Sequence, residues 1–227
     1  IGESGAGKST LGLAAMGFAR PGCRFTDGEI IFDGMKLHQM PENQKRKFWG
    51  TRIAYVAQSA AAAFNPAHKL ISQTIESAVR SKIKNEEQAV KDANHLYNEL
   101  QLPEPDTIGF RYPHQVSGGQ LQRVMTAMAM SATPDLIIFD EPTTALDVTT
   151  QVEVLASMRH IVEQYNTAAI YITHDLSVVA QMADTIKVLR YGEEIEQSET
   201  TEMLSHPKES YTKSLWSVRS IEKQEKT

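Results

Sequence analysis

The chain has 227 residues, a length that favours one domain with an appended lobe over several independent modules. Hydrophobic residues make up 41% and charged residues 22%, so the chain can bury a core and lacks the composition of a disordered protein. A formal net charge of -5 is the wrong sign for a dedicated nucleic-acid-binding protein. We therefore expect a globular protein without a dominant basic surface.

Cys23 is the only cysteine, which excludes an intrachain disulfide or a cysteine-rich metal site and favours a reducing compartment. No apolar run approaches the roughly 20 residues of a membrane helix. The chain opens at Ile1, directly before a glycine-rich loop, with no initiator Met and no signal peptide. We therefore expect a fragment whose N-terminal strands lie upstream.

The first residues form a candidate phosphate loop. Gly2, Gly7, Lys8 and Ser9 match G-x-x-x-x-G-K-[ST], and residues 11–14 continue as a helix. Glycines let backbone N–H groups turn towards a phosphate, Lys8 reaches the terminal phosphates, and the Ser9 hydroxyl binds magnesium. An ordinary glycine loop before a helix is the alternative. The candidate nucleotide-binding residues are Gly2, Glu3, Ser4, Gly5, Ala6, Gly7, Lys8, Ser9 and Thr10.

Strand-like and helix-like segments alternate after the loop, as in a sheet covered by helices. Residues 28–32 predict a strand that ends at the Asp33-Gly34 turn, and residues 52–58 predict another, with Ile53, Tyr55 and Ala57 on one face. Residues 72–102 carry apolar positions at helical spacing, interrupted by a charged turn around Asn85. We expect an inserted helical subdomain over about 66–131.

The second half continues the alternation. Residues 121–130 predict a helix with Val124, Met125 and Met128 inward, and the wholly apolar residues 136–139 predict a buried parallel strand. A helix over 151–165, a strand over 168–172, a helix over 176–183 and two strands flanking Tyr191-Gly192 follow. The charged residues 221–227 are interpreted as a linker or a frayed end.

Two carboxylates, Asp140 and Glu141, follow the buried strand at 136–139 directly. Open parallel sheets bind ligands at the carboxyl ends of their strands. Asp140 is suited to holding magnesium, and Glu141 is placed one residue further to accept a proton from an attacking water. A solvated acidic turn closed by Pro142 is the alternative.

Gln58 ends the predicted strand at 52–58, and His174 follows the predicted strand at 168–172, at the same edge of the sheet. A lone histidine is more often structural, but at this edge His174 is predicted to hydrogen-bond to the terminal phosphate or the water. The amide of Gln58 is predicted to contact the metal or the water. Taken alone, Gln58 would carry almost no information.

Ser117, Gly118, Gly119 and Gln120 lie immediately before a predicted helix and form a second candidate anion site. The helix N-terminus and the two glycines present further N–H groups to a phosphate. A plain helix N-cap is the alternative.

In chain order these motifs resemble the nucleotide-binding domain of ABC ATPases. The resemblance covers nearly the whole chain, with SGGQ at 117–120, FDEPT at 139–143, ALD at 145–147 and THD at 173–175. The segments 112–115, 141–148, 206–207 and 211–213 look like the peptide and nickel importer branch. Val116 stands where Leu is commoner, and the C-terminal cysteine cluster often found in that branch is not possible here.

This resemblance implies an α/β fold of the P-loop NTPase class, mainly a parallel sheet with flanking helices plus the inserted lobe, in one ABC ATPase domain over 1–227. It implies ATP and Mg²⁺ as ligands, with Ser9, Gln58 and Asp140 organising the metal. Glu141, His174 and Gln58 would act in hydrolysis. Ser117, Gly118, Gly119 and Gln120 would contact the ATP of a second nucleotide-binding domain in a head-to-tail dimer, and Asp147 would couple the two.

The further partners implied are transmembrane permease subunits and, indirectly, an extracytoplasmic binding protein, with the chain at the cytoplasmic face of the cell membrane. The imported solute would be a peptide or a similar small molecule. A soluble ABC ATPase of DNA repair or translation is the alternative, disfavoured by the charge and by the lack of coiled-coil or zinc insertions. A non-hydrolysing relative is disfavoured because Glu141 and His174 are both present.

Overall fold

A computed structural model describes residues 1–216 of the chain, so the predicted tail at 221–227 lies outside the described residues. The chain divides into two compact units. One comprises Ile1–Leu13 together with the residues from Tyr171 onward, and the other comprises Ala14–Ile170. Among the described residues, no helix is both long enough and apolar enough to cross a membrane.

Helices and strands alternate along the described chain. The helices are α1 (Lys8–Ala15), α2 (Glu42–Lys45), α3 (Ala60–Ala63), α4 (Leu70–Arg80), α5 (Glu86–Glu99), α6 (Pro105–Ile108), α7 (Gly118–Met130), α8 (Val148–Gln164), α9 (Leu176–Met182) and α10 (Thr200–Ser205). The strands are β1 (Ile31–Phe32), β2 (Met35–Lys36), β3 (Ile53–Val56), β4 (Leu136–Asp140), β5 (Ala168–Ile172), β6 (Thr185–Arg190) and β7 (Glu193–Glu199). Residues 210–216 are also helical.

A sheet with strand order β3-β4-β5 includes the acidic strand end. β3 and β4 are parallel, in a register that pairs Ile53 with Leu136 and Val56 with Phe139. Ile137, Ile138 and Phe139 are fully buried, which confirms the predicted buried strand. Parallel strands are covered on both faces, which is why they carry continuous apolar runs.

The structure corrects the prediction for β3. The strand ends at Val56, and Gln58 lies in the connection before α3 and not within the strand. Ser59 caps α3 by accepting a hydrogen bond from the Ala62 N–H, so the chain turns into a helix at this point. Ala54 and Val56 are buried as well as Ile53, so both faces of β3 are covered.

Two antiparallel hairpins form at the predicted turns. Asp33 and Gly34 have φ of 49° and 73°, but the strand before them covers only Ile31–Phe32 and not the predicted 28–32. Tyr191 and Gly192, with φ of 52° and 84°, connect β6 and β7 as predicted. Positive φ at both central residues gives a turn with the twist that a tight hairpin needs.

The predicted helices between residues 66 and 131 are present as α4 to α7. Asn85 marks the predicted break, since its side chain accepts a hydrogen bond from the Gln88 N–H and starts α5. α7 begins at Gly118, before the predicted residue 121. Val124 and Met125 are buried as predicted, whereas Met128 is only half-buried.

The unit that contains the phosphate loop has its own core. Val179, Ile186, Val188, Met203 and Tyr211 form a buried cluster, and Ile1 packs against it. α9 ends at Met182, one residue before the predicted end. This core joins the start of the chain to the β6–β7 hairpin and to the helical residues 210–216.

Candidate functional site

The phosphate loop adopts a conformation that requires glycine. Gly2 has φ of 154°, and a Cβ atom there would lie 2.2 Å from the backbone oxygen of Leu189 in β6. Gly5 and Gly7 have φ of 83° and 93°, a region that side chains with a Cβ rarely adopt. The loop therefore lies against β6 with its backbone turned in the way that a phosphate-binding loop needs.

Lys8, the first residue of α1, is buried with 7% of its surface exposed. Its Nζ donates hydrogen bonds to the backbone oxygens of Gly2, at 2.8 Å, and Glu3, at 2.9 Å. The carbonyl groups of Gly2 and Glu3 hold the ammonium over the loop, where an anion would be a stronger partner than a carbonyl. The first N–H groups of α1 lie at the same place. This arrangement fits a triphosphate.

Asp140, at the end of β4, has 7% of its surface exposed. Its Oδ2 accepts a hydrogen bond of 2.5 Å from the Tyr55 hydroxyl. Burial, followed by this hydrogen bond and the charge of Asp140, raises the pKa of Tyr55 well above its usual value. Tyr55 therefore stays a hydrogen-bond donor at any physiological pH and orients the carboxylate.

Glu141 follows Asp140 with φ of 48°, an uncommon conformation for a residue with a side chain. Its Oε2 accepts hydrogen bonds from Gln58 Nε2, at 3.4 Å, and from Thr144 Oγ1, at 3.2 Å. Gln58 and Glu141 are therefore in contact, as expected for groups at one edge of the sheet. Two donors on one oxygen hold the Glu141 carboxylate in a defined orientation.

His174 lies two residues after the end of β5 and is exposed. The turn that carries it is closed locally, since the N–H of Asp175 donates to Thr173 Oγ1 at 2.9 Å. His174 belongs to the unit that contains Lys8, whereas Gln58, Asp140 and Glu141 belong to the other. Its predicted contact with a phosphate or a water stays a prediction.

Ser117 is the N-cap of α7, and Gly118, Gly119 and Gln120 form the first turn of the helix. Ser117 Oγ accepts from the Gln120 N–H at 3.3 Å, and Gln120 Oε1 accepts from the Ser117 N–H at 3.0 Å, which is a capping box. Ser117 and Gly118 are exposed, so this helix start can be reached by another molecule.

Gly119, by contrast, is buried against α8. A Cβ atom on Gly119 would lie 2.5 Å from Thr150 Cγ2, whereas one on Gly118 would lie 3.6 Å from Leu146 Cδ2. The second glycine of the motif therefore permits close packing between the start of α7 and the start of α8.

Asp147 is the N-cap of α8. Its carboxylate accepts from the Thr150 N–H at 3.0 Å and from Thr150 Oγ1 at 2.7 Å. The hydrogen bond from the Thr150 N–H, and then that from its hydroxyl, lower the pKa of Asp147. Thr150 is hydrogen-bonded to Asp147 and packs against Gly119, so the motifs at 117–120 and 145–147 lie side by side. The predicted coupling role of Asp147 stays a prediction.

A model of the ABC transporter family matches residues 1–144. The chain belongs to this family. The predicted resemblance is confirmed.

Similar ABC transporter components include the oligopeptide transport ATP-binding protein OppD of Lactococcus lactis subsp. cremoris, which is 38% identical over 95% of this chain and 64% of its own length. The dipeptide transport ATP-binding protein DppD of Bacillus subtilis is 37% identical over 95% of this chain and 64% of its own. The metal-staphylopine import system ATP-binding protein CntD of Staphylococcus aureus is 39% identical over 96% of this chain and 80% of its own. The chain thus spans less than two thirds of the length of these OppD and DppD proteins. Their names give no support to the nucleic-acid alternative.

Solved structures confirm the predicted fold class. The ATP-binding cassette MJ0796, as a dimer in a post-hydrolysis state with ADP and phosphate, aligns with a TM-score of 0.74 at 26% identity, over 88% of this chain and 83% of that one. CbiO1 of Clostridium perfringens aligns with a TM-score of 0.77 at 24% identity, over 91% and 78% of the two chains, and is similar in fold.

Sequence reasoning missed three polar partners of the site: Tyr55, Thr144 and Thr150. Tyr55 could have been found, because a hydroxyl within an otherwise apolar buried strand needs a hydrogen-bond partner. Thr144 and Thr150 follow the acidic motif at helix-cap spacing, but threonines at such positions are common and carry no signal for their contacts.

Proposed function

We propose that this chain is the ATP-binding and ATP-hydrolysing part of an ABC importer for peptides or a similar small solute. The observation that carries the proposal is the Asp140-Glu141 pair at the end of buried β4, with Glu141 held by Gln58, in a chain of the ABC transporter family. The names of the oligopeptide and dipeptide transport relatives support the solute class.

In this proposal residues 2–10 bind the phosphates of ATP. The backbone N–H groups of the loop and of the start of α1 contact the phosphate oxygens, and Lys8, directed over the loop by its hydrogen bonds to the Gly2 and Glu3 oxygens, contacts the terminal phosphates. An ammonium that is already buried and directed over the loop loses little side-chain freedom when the anion arrives.

Magnesium binds hard oxygen ligands, often one or two carboxylates together with substrate phosphates. Ser9, Gln58 and Asp140 offer a hydroxyl, an amide oxygen and a carboxylate, a set of this class. When bound by these residues, Mg²⁺ would supply charge neutralisation for the phosphates during transfer of the terminal phosphoryl group to water, with ADP as the leaving group. Tyr55 supports Asp140 in this role by donating to Oδ2, which restricts rotation of the carboxylate.

Glu141 accepts a proton from the attacking water, and His174 donates a hydrogen bond to the terminal phosphate. Because Gln58 and Thr144 both donate to Oε2 of Glu141, the carboxylate cannot turn freely away from the water. General base catalysis depends on such positioning and contributes about 10²- to 10⁴-fold in rate.

Glu141→Gln tests this role, because the amide keeps the shape of the side chain but cannot take up a proton. We expect ATP affinity to persist and single-turnover hydrolysis to fall by about 10²- to 10⁴-fold. Glu163→Gln, which changes an exposed glutamate in α8 that pairs with Arg159, is the control and should match the wild type. Hydrolysis at the wild-type rate in the Glu141 variant would refute the assignment.

We further propose that two such domains form a head-to-tail dimer in which Ser117, Gly118, Gly119 and Gln120 of one contact the ATP of the other. Exposure of Ser117 and Gly118 at the start of α7 supports this, as does the dimeric MJ0796 structure with ADP and phosphate. The partner domain is a second copy or a related chain. Asp147, which is hydrogen-bonded to Thr150, couples the two domains.

Complementation tests the dimer. Ser117→Arg blocks the helix start but leaves the phosphate loop intact, and Lys8→Ala does the reverse. Each variant alone should be inactive, whereas a mixture should regain activity from one complete composite site. Ser117→Ala, which removes the cap without adding bulk, controls for loss of the capping box. Mixed dimers without any regained activity would contradict the arrangement.

The remaining partners in this proposal are transmembrane permease subunits at the cytoplasmic face of the cell membrane, supplied with solute by an extracytoplasmic binding protein. Co-expression with peptide permease subunits of this family should raise the ATPase activity of the chain in vesicles when a cognate binding protein and peptide are added. Stimulation by DNA or RNA instead would refute the transport role.

A further inference from the structure

The peptide unit between Gly2 and Glu3 has a partner on each side. Its carbonyl oxygen, that of Gly2, accepts the 2.8 Å hydrogen bond from Lys8 Nζ. Its N–H, that of Glu3, donates to the hydroxyl of Tyr211 at 3.4 Å, across 208 residues of sequence. Because a peptide unit is planar and rigid, the group that holds the N–H also sets the direction of the carbonyl that holds Lys8.

Tyr211 is itself firmly placed. It has 8% of its surface exposed and belongs to the core cluster with Val179, Ile186, Val188 and Met203. The guanidinium of Arg190, at the end of β6, lies 4.5 Å from the centre of the Tyr211 ring. Packing and the Arg190 guanidinium therefore hold the ring in a position from which its hydroxyl reaches the phosphate loop.

The backbone before Tyr211 is anchored by Glu196 of β7. Its carboxylate, which is buried, accepts hydrogen bonds from the N–H groups of Lys208, at 2.8 Å, and Glu209, at 3.1 Å. Both carboxylate oxygens are used, so the segment that leads into the helical residues 210–216 is held against the hairpin. The hairpin also contacts the loop directly, since the Gly192 N–H donates to the Ala6 oxygen at 3.0 Å.

We propose that Tyr211 is a positioning residue for ATP binding, which acts through the Gly2–Glu3 peptide unit to keep Lys8 and the loop in the phosphate-binding arrangement. This role gives the YTK segment at 211–213, which the proposed hydrolysis does not use, a function within the domain. It rests on the proposed function, because the anion that the loop receives is the triphosphate of ATP. Without the hydroxyl, the loop samples other conformations, and binding must then select the competent one.

Tyr211→Phe tests the proposal, because it removes one hydroxyl and keeps the ring in the core and under Arg190. We expect the KM for ATP to rise about two- to tenfold, the range of one neutral hydrogen bond, with kcat within about twofold of the wild type. Amide hydrogen exchange at Glu3 without nucleotide should become faster by a similar factor. A merely structural role would lower the melting temperature without moving KM.

Tyr191→Phe is the matched control. Tyr191 also stacks with Arg190, at 5.1 Å, but 80% of its surface is exposed and it lies outside the loop contacts described above. Its KM, kcat and exchange should equal those of the wild type.

Amide exchange at Glu3 tests the hydrogen bond to Tyr211 directly, even if the wild-type protein does not hydrolyse ATP. Failure of this inference can therefore be told apart from failure of the proposed function. Unchanged exchange in the Tyr211 variant would overturn the inference. In a protein that hydrolyses ATP, faster exchange with an unchanged KM, or a lower kcat at an unchanged KM, would overturn it as well.

Discussion

Gly119 and Thr150 approach so closely that a Cβ atom on the glycine would lie 2.5 Å from Thr150 Cγ2. Thr150 cannot turn away without loss, because its hydroxyl is hydrogen-bonded to Asp147 at 2.7 Å. The glycine is therefore needed to pack the start of α7 against the start of α8, in addition to any role towards a nucleotide.

Gly119→Ala should accordingly lower the free energy of unfolding by about 1–3 kcal/mol, the range for overpacking a core contact. Gly118→Ala, whose added Cβ would meet Leu146 Cδ2 at an ordinary 3.6 Å, should be neutral or stabilising. Adding Thr150→Ser to the Gly119 variant removes Cγ2 and keeps the hydroxyl, so it should restore most of the loss. Urea unfolding of the wild type, the Gly119→Ala, Gly118→Ala and Thr150→Ser variants and the double variant measures this, and additive effects in the double variant would contradict the contact.

Gly2→Ala should be more damaging than Gly5→Ala. At Gly2 the added Cβ would lie 2.2 Å from the backbone oxygen of Leu189, which cannot move without distorting β6. At Gly5 the surroundings are open, and only the cost of a positive φ applies, about 1–2 kcal/mol. We expect Gly2→Ala to cost about 3 kcal/mol or more. Chemical denaturation compares the two, and equal losses would show that the loop does not rest on β6 as described.

Tyr55→Phe should weaken magnesium binding, because it removes the donor that orients Asp140. Loss of a group that supports a metal ligand typically costs about 10- to 100-fold in metal affinity. A titration of ATPase activity with Mg²⁺ at saturating ATP should therefore shift to higher concentration by about that factor. Tyr165→Phe, whose hydroxyl has no hydrogen-bond partner among the described residues, is the control and should not shift the titration. An unchanged midpoint in the Tyr55 variant would rule out a supporting role.

Asp147→Asn should flatten the acid limb of the stability profile. Because the pKa of Asp147 is lowered in the folded state, the unfolded chain binds more protons as the pH falls. The contribution of the charged cap is thus fully present above about pH 4, the usual value for aspartate, and is lost as the pH falls through the lowered folded pKa.

Asparagine caps helices as well as aspartate does but does not titrate in this range. Melting temperatures measured from pH 7 to pH 3 should therefore decline less steeply below pH 4 in the Asp147 variant than in the wild type. Asp106→Asn, which changes an exposed aspartate in α6, is the control. Parallel curves for wild type and the Asp147 variant would contradict the expected linkage.

Segments whose apolar residues form a regular pattern were predictable, and short helices without such a pattern were not. β4, α4 and α5 were predicted because burial on one or both faces leaves a regular pattern in the residues themselves. α2, α3 and α6 are four residues long, too short for any periodicity, and were not predicted. The early end of β3 was missed because Ser59 starts a helix that only its contact with Ala62 reveals.

The sequence by itself determined the family and the candidate residues, because phosphate and metal chemistry place Lys8, Ser9, Asp140 and Glu141 in local motifs of fixed spacing. The tertiary structure alone decided which groups hold those residues in place. Tyr55 reaches Asp140 across 85 residues and Tyr211 reaches Glu3 across 208. Such contacts leave no local pattern, since a single hydroxyl can be supplied from any part of the chain that folding brings within hydrogen-bond distance.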